Sequence, residues 1–268
     1  MKKRKIKIAM LFVLILCISV FTSCVIIDPG DDVDNTNYSA SEPFAYEVTV
    51  KNQDQFVLEG INGEVEIIGV ENVASIHITG ERIVRSDSDE DAKVCLNELE
   101  ARLIESSDEV YVKTVQPKES HGRQYIVNYH ITIPNNWIVT IGHVNGNIEL
   151  KNFVSDVSVG SVNGNVELEA IEGSVLVALT NGNIKADITL PPQGRCSLRT
   201  VNGLIGVEIP KNTSAEFSAS VINGTVSVNG LTLTNMQTSR QSTSGILGTR
   251  QGNITLVTVN GTIDVSGY

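Results

Sequence analysis

Val144-Asn145-Gly146-Asn147-Ile148-Glu149-Leu150 is followed eighteen residues on by Val162-Asn163-Gly164-Asn165-Val166-Glu167-Leu168. The shared pattern, a β-branched residue, then Asn-Gly, then alternating apolar positions, also stands at Asn62-Gly63, Asn181-Gly182, Asn202-Gly203, Asn223-Gly224 and Asn260-Gly261. From Asn145 the copies are separated by 18, 18, 21, 21 and 37 residues. Half-steps without Asn-Gly lie midway at Val154–Val159 and Glu172–Val177, and a degenerate copy runs over Gln251–Leu256. One unit is therefore about nine residues, a strand of roughly five and a turn of roughly four, whose two-residue alternation sends one set of side chains inward.

Two architectures use such a unit. Asn-Gly between strands signals a tight hairpin and would give an antiparallel meander. Alternatively, two units make one coil of a solenoid and the Asn-Gly corners stack from coil to coil. Three features favour the second. The period is nearly constant, equivalent residues are alike in a way that stacking rewards, and no unit is large enough to bury a core alone. The expected fold is all-β: a parallel β-solenoid resembling a single-stranded β-helix, with about 18–21 residues per coil. Asn145, Gly146, Asn163, Gly164, Asn181, Gly182, Asn202, Gly203, Asn223, Gly224, Asn260 and Gly261 then form a turn ladder. Glycine supplies a positive φ at the corner and asparagine tolerates it next best, so this ladder is structural first.

Upstream, the repeat gives way to a different texture. Strands are expected within Val48–Val70 and over Ile76–Val84. The acidic run Ser86-Asp87-Ser88-Asp89-Glu90-Asp91 should open an amphipathic helix over Asp89–Glu105, with Ala92, Cys95, Leu99 and Leu103 on one face and Leu96 beside them. Such a helix would cover one end of the solenoid, where a bare coil would pair with other chains. Val110–Val115 and Tyr125–Ile133 read as a hairpin, Pro134 ends it, and Trp137 packs at the entry to the coils. The C-terminal units show no helical cap, which leaves that end open to self-association.

Ile131-Thr132-Ile133-Pro134, the repeated Val-Asn-Gly-Asn-Ile/Val-Glu-Leu and the closing Val259-Asn260-Gly261-Thr262-Ile263-Asp264-Val265 together resemble a widespread bacterial family of β-strand-repeat domains of unknown function, often labelled adhesins. The likeness runs from about Val48 to Tyr268. It implies a predominantly β, solenoid-like domain exposed outside the cytoplasm, and it brings no catalytic residues with it.

The first residues read as an address. Lys2, Lys3, Arg4, Lys5 and Lys7 precede an uncharged run from Ile8 to Phe21. As a helix that run spans about 21 Å, short of a ~30 Å hydrocarbon core, so a secretory signal fits better than a membrane span. Phe21-Thr22-Ser23-Cys24 resembles a bacterial lipobox, which implies diacylation of Cys24, a membrane anchor through that lipid and a place in the bacterial cell envelope. The expected organisation is a signal peptide over 1–23, a lipidated Cys24 with a disordered acidic tether over 24–43, strands, helix and hairpin over 44–143, and the Asn-Gly solenoid over 144–268. Residues 44–268 form one domain on this reading.

Charge and composition narrow the chemistry. Lys and Arg number 20 against 31 Asp and Glu, a net charge of −11, and removing the basic head deepens it to −16. That argues against nucleic acid as a partner. The excess sits in residues 25–143, net −14, against −2 for residues 144–268, and reads first as a solvated surface. His77, His121, His130 and His143 lack metal-ligand spacing, no cofactor motif stands out, and Cys95 and Cys196 could either pair or remain buried thiols. An enzyme of the β-helical polysaccharide type would need paired carboxylates. Glu149 and Glu167, about 4.8 Å apart if on neighbouring coils, with Glu169, Asp187, Arg195 and Arg199, are the candidates. Exposed strand positions are commonly polar, and aromatics amount to only 5%. The expectation is a non-enzymatic, lipid-anchored module that binds a glycan or protein ligand, with an envelope scaffold or stress-response accessory as the alternative.

Overall fold

The computed structural model describes residues 37–268. The signal segment, Cys24 and the first part of the expected tether lie outside the described residues. What remains is all-β with one short helix.

Two faces of strands carry the molecule. The first contains β2 (Gln55–Glu59), β6 (Glu109–Val115), β8 (Ile138–Asn145), β10 (Val157–Asn163), β12 (Val175–Asn181) and β14 (Arg195–Asn202). The second contains β3 (Val65–Val70), β7 (Gln124–Pro134), β9 (Ile148–Phe153), β11 (Val166–Ile171), β13 (Ile184–Ile188) and β15 (Ile205–Ile209). Two long strands, β16 (Ala215–Asn229) and β19 (Gly252–Gly267), turn the corner without a break and contribute to both faces. Within each face the neighbours are parallel and in register. The first runs β6, β2, β8, β10, β12, β14, β19, β16. The second runs β7, β3, β9, β11, β13, β15, β19, β16.

Register explains the core. Phe56, Val139, Val157, Val175, Cys196, Ile254 and Phe217 follow one another down one interior column, and all are buried. On the opposite face Val65, Ile148, Val166, Ile184, Ile205 and Ile263 form the matching column. β-branched side chains pack well at strand spacing, and burying each one contributes roughly 1.5–3 kcal/mol. Cys196 holds a place that its neighbours fill with Val175 and Ile254, and burial pushes its thiol up to about 12. Cys95 and Cys196 are both buried and unpaired.

Both ends depart from a purely parallel stack. At the N-terminal end β5 (Glu100–Glu105) lies antiparallel on β6, β4 (Ser75–Ser86) on β7, and β1 (Tyr38–Thr49) on β4. The helix α1 (Asp89–Leu96) packs on β1 and β4 and buries Ala92, Cys95 and Leu96. Its N-cap is Ser88, whose hydroxyl accepts from the Asp91 amide at 3.2 Å. Arg123 ties the helix down through two bonds to the Asp91 carboxylate at 2.6 and 2.7 Å. At the C-terminal end β18 (Ser242–Leu247) is antiparallel to the first part of β16, and β17 (Leu233–Thr238) is antiparallel to β18.

Several expectations are corrected here. The sheet is mixed, because the capping strands run antiparallel to the coils they cover. The tether expected over 24–43 ends earlier: Tyr38–Pro43 already pairs with Ser86–Glu81, since the long β4 offers an edge and Ala40 finds a buried seat against it. Pro43 is tolerated because β1 is an edge strand. The helix stops at Leu96, well short of Glu105. Glu100–Glu105 has good helical propensity, but pairing with β6 outweighs it. The strands over 110–115 and 125–133 do not form a hairpin; β6 pairs with β2 and β5, while β7 pairs with β3 and β4. Trp137 is buried at 3% exposure, where the chain enters β8.

Candidate functional site

The corner side chains form one continuous hydrogen-bonded line. Asn145 Nδ2 donates to Asn62 Oδ1 at 2.7 Å, Asn163 to Asn145 at 2.7 Å, Asn181 to Asn163 at 2.9 Å and Asn202 to Asn181 at 2.8 Å. Asn260 then donates to Asn202, and Asn223 to Asn260, both at 2.8 Å. Asn62 closes the other end by donating to the Tyr125 carbonyl at 2.9 Å. In-register parallel strands bring like residues to one spacing, and a carboxamide can donate and accept along that line at once.

The stacking order is not the sequence order. Asn260 stands between Asn202 and Asn223, because β19 pairs with β14 and β15 on one side and with β16 on the other. A signal for this was present. Thr200-Val201-Asn202-Gly203 and Thr258-Val259-Asn260-Gly261 are the same tetrapeptide. Each threonine hydroxyl donates to the glycine carbonyl of the coil before it: Thr200 to Gly182 at 3.0 Å, Thr258 to Gly203 at 3.1 Å. The degenerate copy at Gln251–Leu256 is no corner; Asn253 lies opposite Arg195 in the first face.

A second ladder escaped the sequence reading. Asn147 Oδ1 accepts from the Asn165 amide at 3.0 Å, Asn165 Oδ1 from the Asn183 amide at 3.0 Å, and Asn183 Oδ1 from the Leu204 amide at 2.8 Å. Its signature is the third residue of Asn-Gly-Asn, and it ends where Leu204 replaces asparagine. Replacing Asn163 with alanine removes one donated and one accepted side-chain bond in the first ladder. At about 0.5–1.5 kcal/mol net per bond, the loss should be about 1–3 kcal/mol in urea unfolding. Asn223→Ala at the ladder's end should cost less.

Beside the corners runs an outward row of charge. Glu66, Glu149, Glu167 and Lys185 stand in register across β3, β9, β11 and β13, and His130 of β7 lies opposite Glu66. Stacked carboxylates repel, yet each has a partner. Lys151 is 2.7 Å from Glu149 and 3.8 Å from Glu66, Lys185 is 2.7 Å from Glu167, and His130 Nδ1 is 2.7 Å from Glu66. The hydrogen bonds to Glu149 and Glu167 raise the Lys151 and Lys185 ammonium groups above their usual range. A shallow groove follows this row, lined among others by Glu64, Glu66, Glu81, His130, Glu149 and Glu167. The other acids raised by the sequence do not converge on it: Asp187 lies opposite Glu208 and accepts from the Tyr268 hydroxyl at 3.1 Å, and Glu169 lies opposite Lys151. Arg195 and Arg199 sit on β14, on the first face. Among the described residues no group of three or more His, Cys, Asp or Glu is placed to hold a metal ion.

His143 is the one histidine that the fold encloses, at 1% exposure. Nε2 lies 2.9 Å from the Gly63 carbonyl, which can only accept, so Nε2 carries the proton; Nδ1 is buried without a partner. Gly60 makes room for the ring, since a Cβ there would lie 2.3 Å from Nδ1. Burial lowers the imidazole's affinity for a second proton, against smaller opposing effects of nearby backbone groups. The folded state thus binds fewer protons than the unfolded chain, whose histidines titrate near 6.5. The contribution of His143 to stability should be level above that pH and should fall as the pH drops below it. Urea midpoints of the protein at pH 7.5 and pH 5 test this, and His143→Gln should remove most of the difference.

Fold and ladders define a repeat all-β protein whose coils are registered by corner side chains and whose outward faces are polar. The chain belongs to the Toastrack DUF4097 family, whose model matches residues 109–266. No curated protein matches this sequence. Among solved structures it is similar to a "putative cell adhesion protein" from Clostridium sporogenes ATCC 15579, at 13% identity over 85% of this chain and 100% of that one, with a TM-score of 0.42. It is also similar to a "putative adhesin" from Bacteroides fragilis NCTC 9343, at 9% identity over 86% of this chain and 99% of that one, with a TM-score of 0.40.

Proposed function

We propose that this protein is a non-enzymatic, lipid-anchored module of the bacterial cell envelope that uses the outer faces of a β-solenoid to bind a surface ligand, a glycan or a protein. The observation that carries this reading is the outward row Glu66, Glu149, Glu167 and Lys185. Its carboxylates are neighbours in register, but Lys151, Lys185 and His130 occupy them. A glycosidase needs one carboxyl free to act as an acid and another free as a base or nucleophile. A row already paired with itself instead supplies polar groups at a fixed repeat, which suits recognition of an extended partner. The anchor rests on the basic head and on Phe21-Thr22-Ser23-Cys24.

Protease shaving of intact cells tests this, with a Cys24→Ala strain that should release the protein from membranes. Digestion of the domain on intact cells supports the surface-binding reading. Survival until the envelope is opened overturns it and favours the scaffold or stress-response role within the envelope. Retention of Cys24→Ala in membranes would remove the lipid anchor from the proposal.

A further inference from the structure

We propose that two copies of this chain join tail to tail by antiparallel pairing of the second half of β16 across a two-fold axis. β16 is the last parallel strand of both faces at the C-terminal end. Its first part is covered, because β18 pairs with Ala215–Ser220. Its second part, Thr225–Asn229, has a strand on one side alone among the described residues, namely β19. In a parallel ladder the N–H and C=O of one residue face one neighbour and those of the next residue face the other. The Val226 amide turns away from β19 and donates to the Arg240 carbonyl at 3.0 Å. Val228, two residues on, therefore turns its backbone groups the same way, out from the stack. The interior columns are also left incomplete here. Ile263 and Val265 are buried at 0% and 1% exposure, while Val226 and Val228, their partners on the last rung, are only half-buried. Ile222, beside the corner, is 62% exposed.

Charge identifies the occupant. Edge strands are normally blunted by charged residues or proline. The opposite end of this molecule follows that rule: β1 carries Glu42, Pro43 and Glu47, and β5 carries Glu100, Arg102 and Glu105. The C-terminal end does not, since Phe217 to Ser239 contains no charged residue or histidine. Two copies of an acidic chain repel almost everywhere else, whereas the charges beside this edge, Arg240 at the Val226 amide and Asp264 opposite Ser227, are of opposite sign. An antiparallel strand pair around a two-fold axis is complementary to itself. Because the N-terminal end is guarded, head-to-tail growth is barred and association closes at two.

The test is native mass spectrometry of the full-length chain released from detergent micelles over a range of protein concentrations. A dimer that grows with concentration is expected. Thr225→Lys places an added cation from each copy beside the seam, and Val228→Pro removes the outward amide, a change an edge strand tolerates. Each should raise the dissociation constant at least about tenfold while leaving the thermal unfolding of the monomer near that of the parent. If Val228→Pro unfolds, Thr225→Lys decides alone, since its side chain lies on the solvent face. A monomer at every concentration up to the solubility limit overturns the proposal. So does a dimer that both variants leave unchanged, or one that forms only through a strand from another protein.

Discussion

Gly182→Ala should break the middle of the stack. Gly182 has φ of +144°, in the region that favours glycine, and a Cβ there would lie 2.0 Å from the Gly164 carbonyl oxygen. That oxygen belongs to the backbone of the next coil, which is itself held by neighbours on both sides. Nothing at the contact is a flexible side-chain end, so relief requires the coils to part. Parting them would strain the ladder bonds from Asn181 to Asn163 and from Asn202 to Asn181. The combined cost of φ strain and lost registry should be about 3 kcal/mol or more. In a domain of this size that lowers the melting temperature by roughly 6–12 °C. Gly122→Ala is the matched control. Its φ is also positive, at +79°, but the added carbon meets nothing within 4 Å, so it should cost about 1 kcal/mol. Equal melting temperatures for the two variants would show that the corner needs glycine only for its φ and not for the close approach.

Phe153→Ala should have a comparable effect by a different route. Phe153 ends β9 at 0% exposure, lies opposite Ile171 of β11, and its carbonyl accepts from the Glu172 amide at 2.7 Å. Coils above and below hold the walls of its site at strand spacing, so the cavity left by alanine cannot collapse. Deletion of a buried phenylalanine costs about 3–5 kcal/mol, read as a lower urea midpoint with an unchanged slope. Phe44, half-buried against Tyr46 and Tyr129 at the N-terminal end, has freer walls and should cost less when truncated. A fall for Phe44→Ala as large as that for Phe153→Ala would contradict this account.

Much of the coil region was legible because its physics is local and repeated. Asn-Gly marks the corner, alternation marks the inward face, and a near-constant period aligns one coil with the next. Asn145, Asn163, Asn181 and Asn202 stack in sequence order for that reason. The N-terminal part was less legible because each of its elements is decided by a distant partner. Glu100–Glu105 would suit a helix and becomes a strand on β6. Residues 110–115 and 125–133 look like a hairpin and join different faces. Tyr38–Pro43 is polar enough for a tether but finds β4. The candidate site divides similarly: Glu149 and Glu167 could be placed as neighbours from the repeat, whereas their neutralisation by Lys151, Lys185 and His130 needed side-chain positions.

By itself the sequence determined that the chain is all-β in its repeats, where its corners fall, and which side chains face inward, because these follow from period and residue type within a few positions. Only the tertiary structure decided that Asn260 lies between Asn202 and Asn223, that antiparallel strands close the N-terminal end, and that the second half of β16 is left with one partner. Strand neighbours separated by tens of residues are chosen by which edges remain unpaired when the chain returns, and no local pattern records that choice.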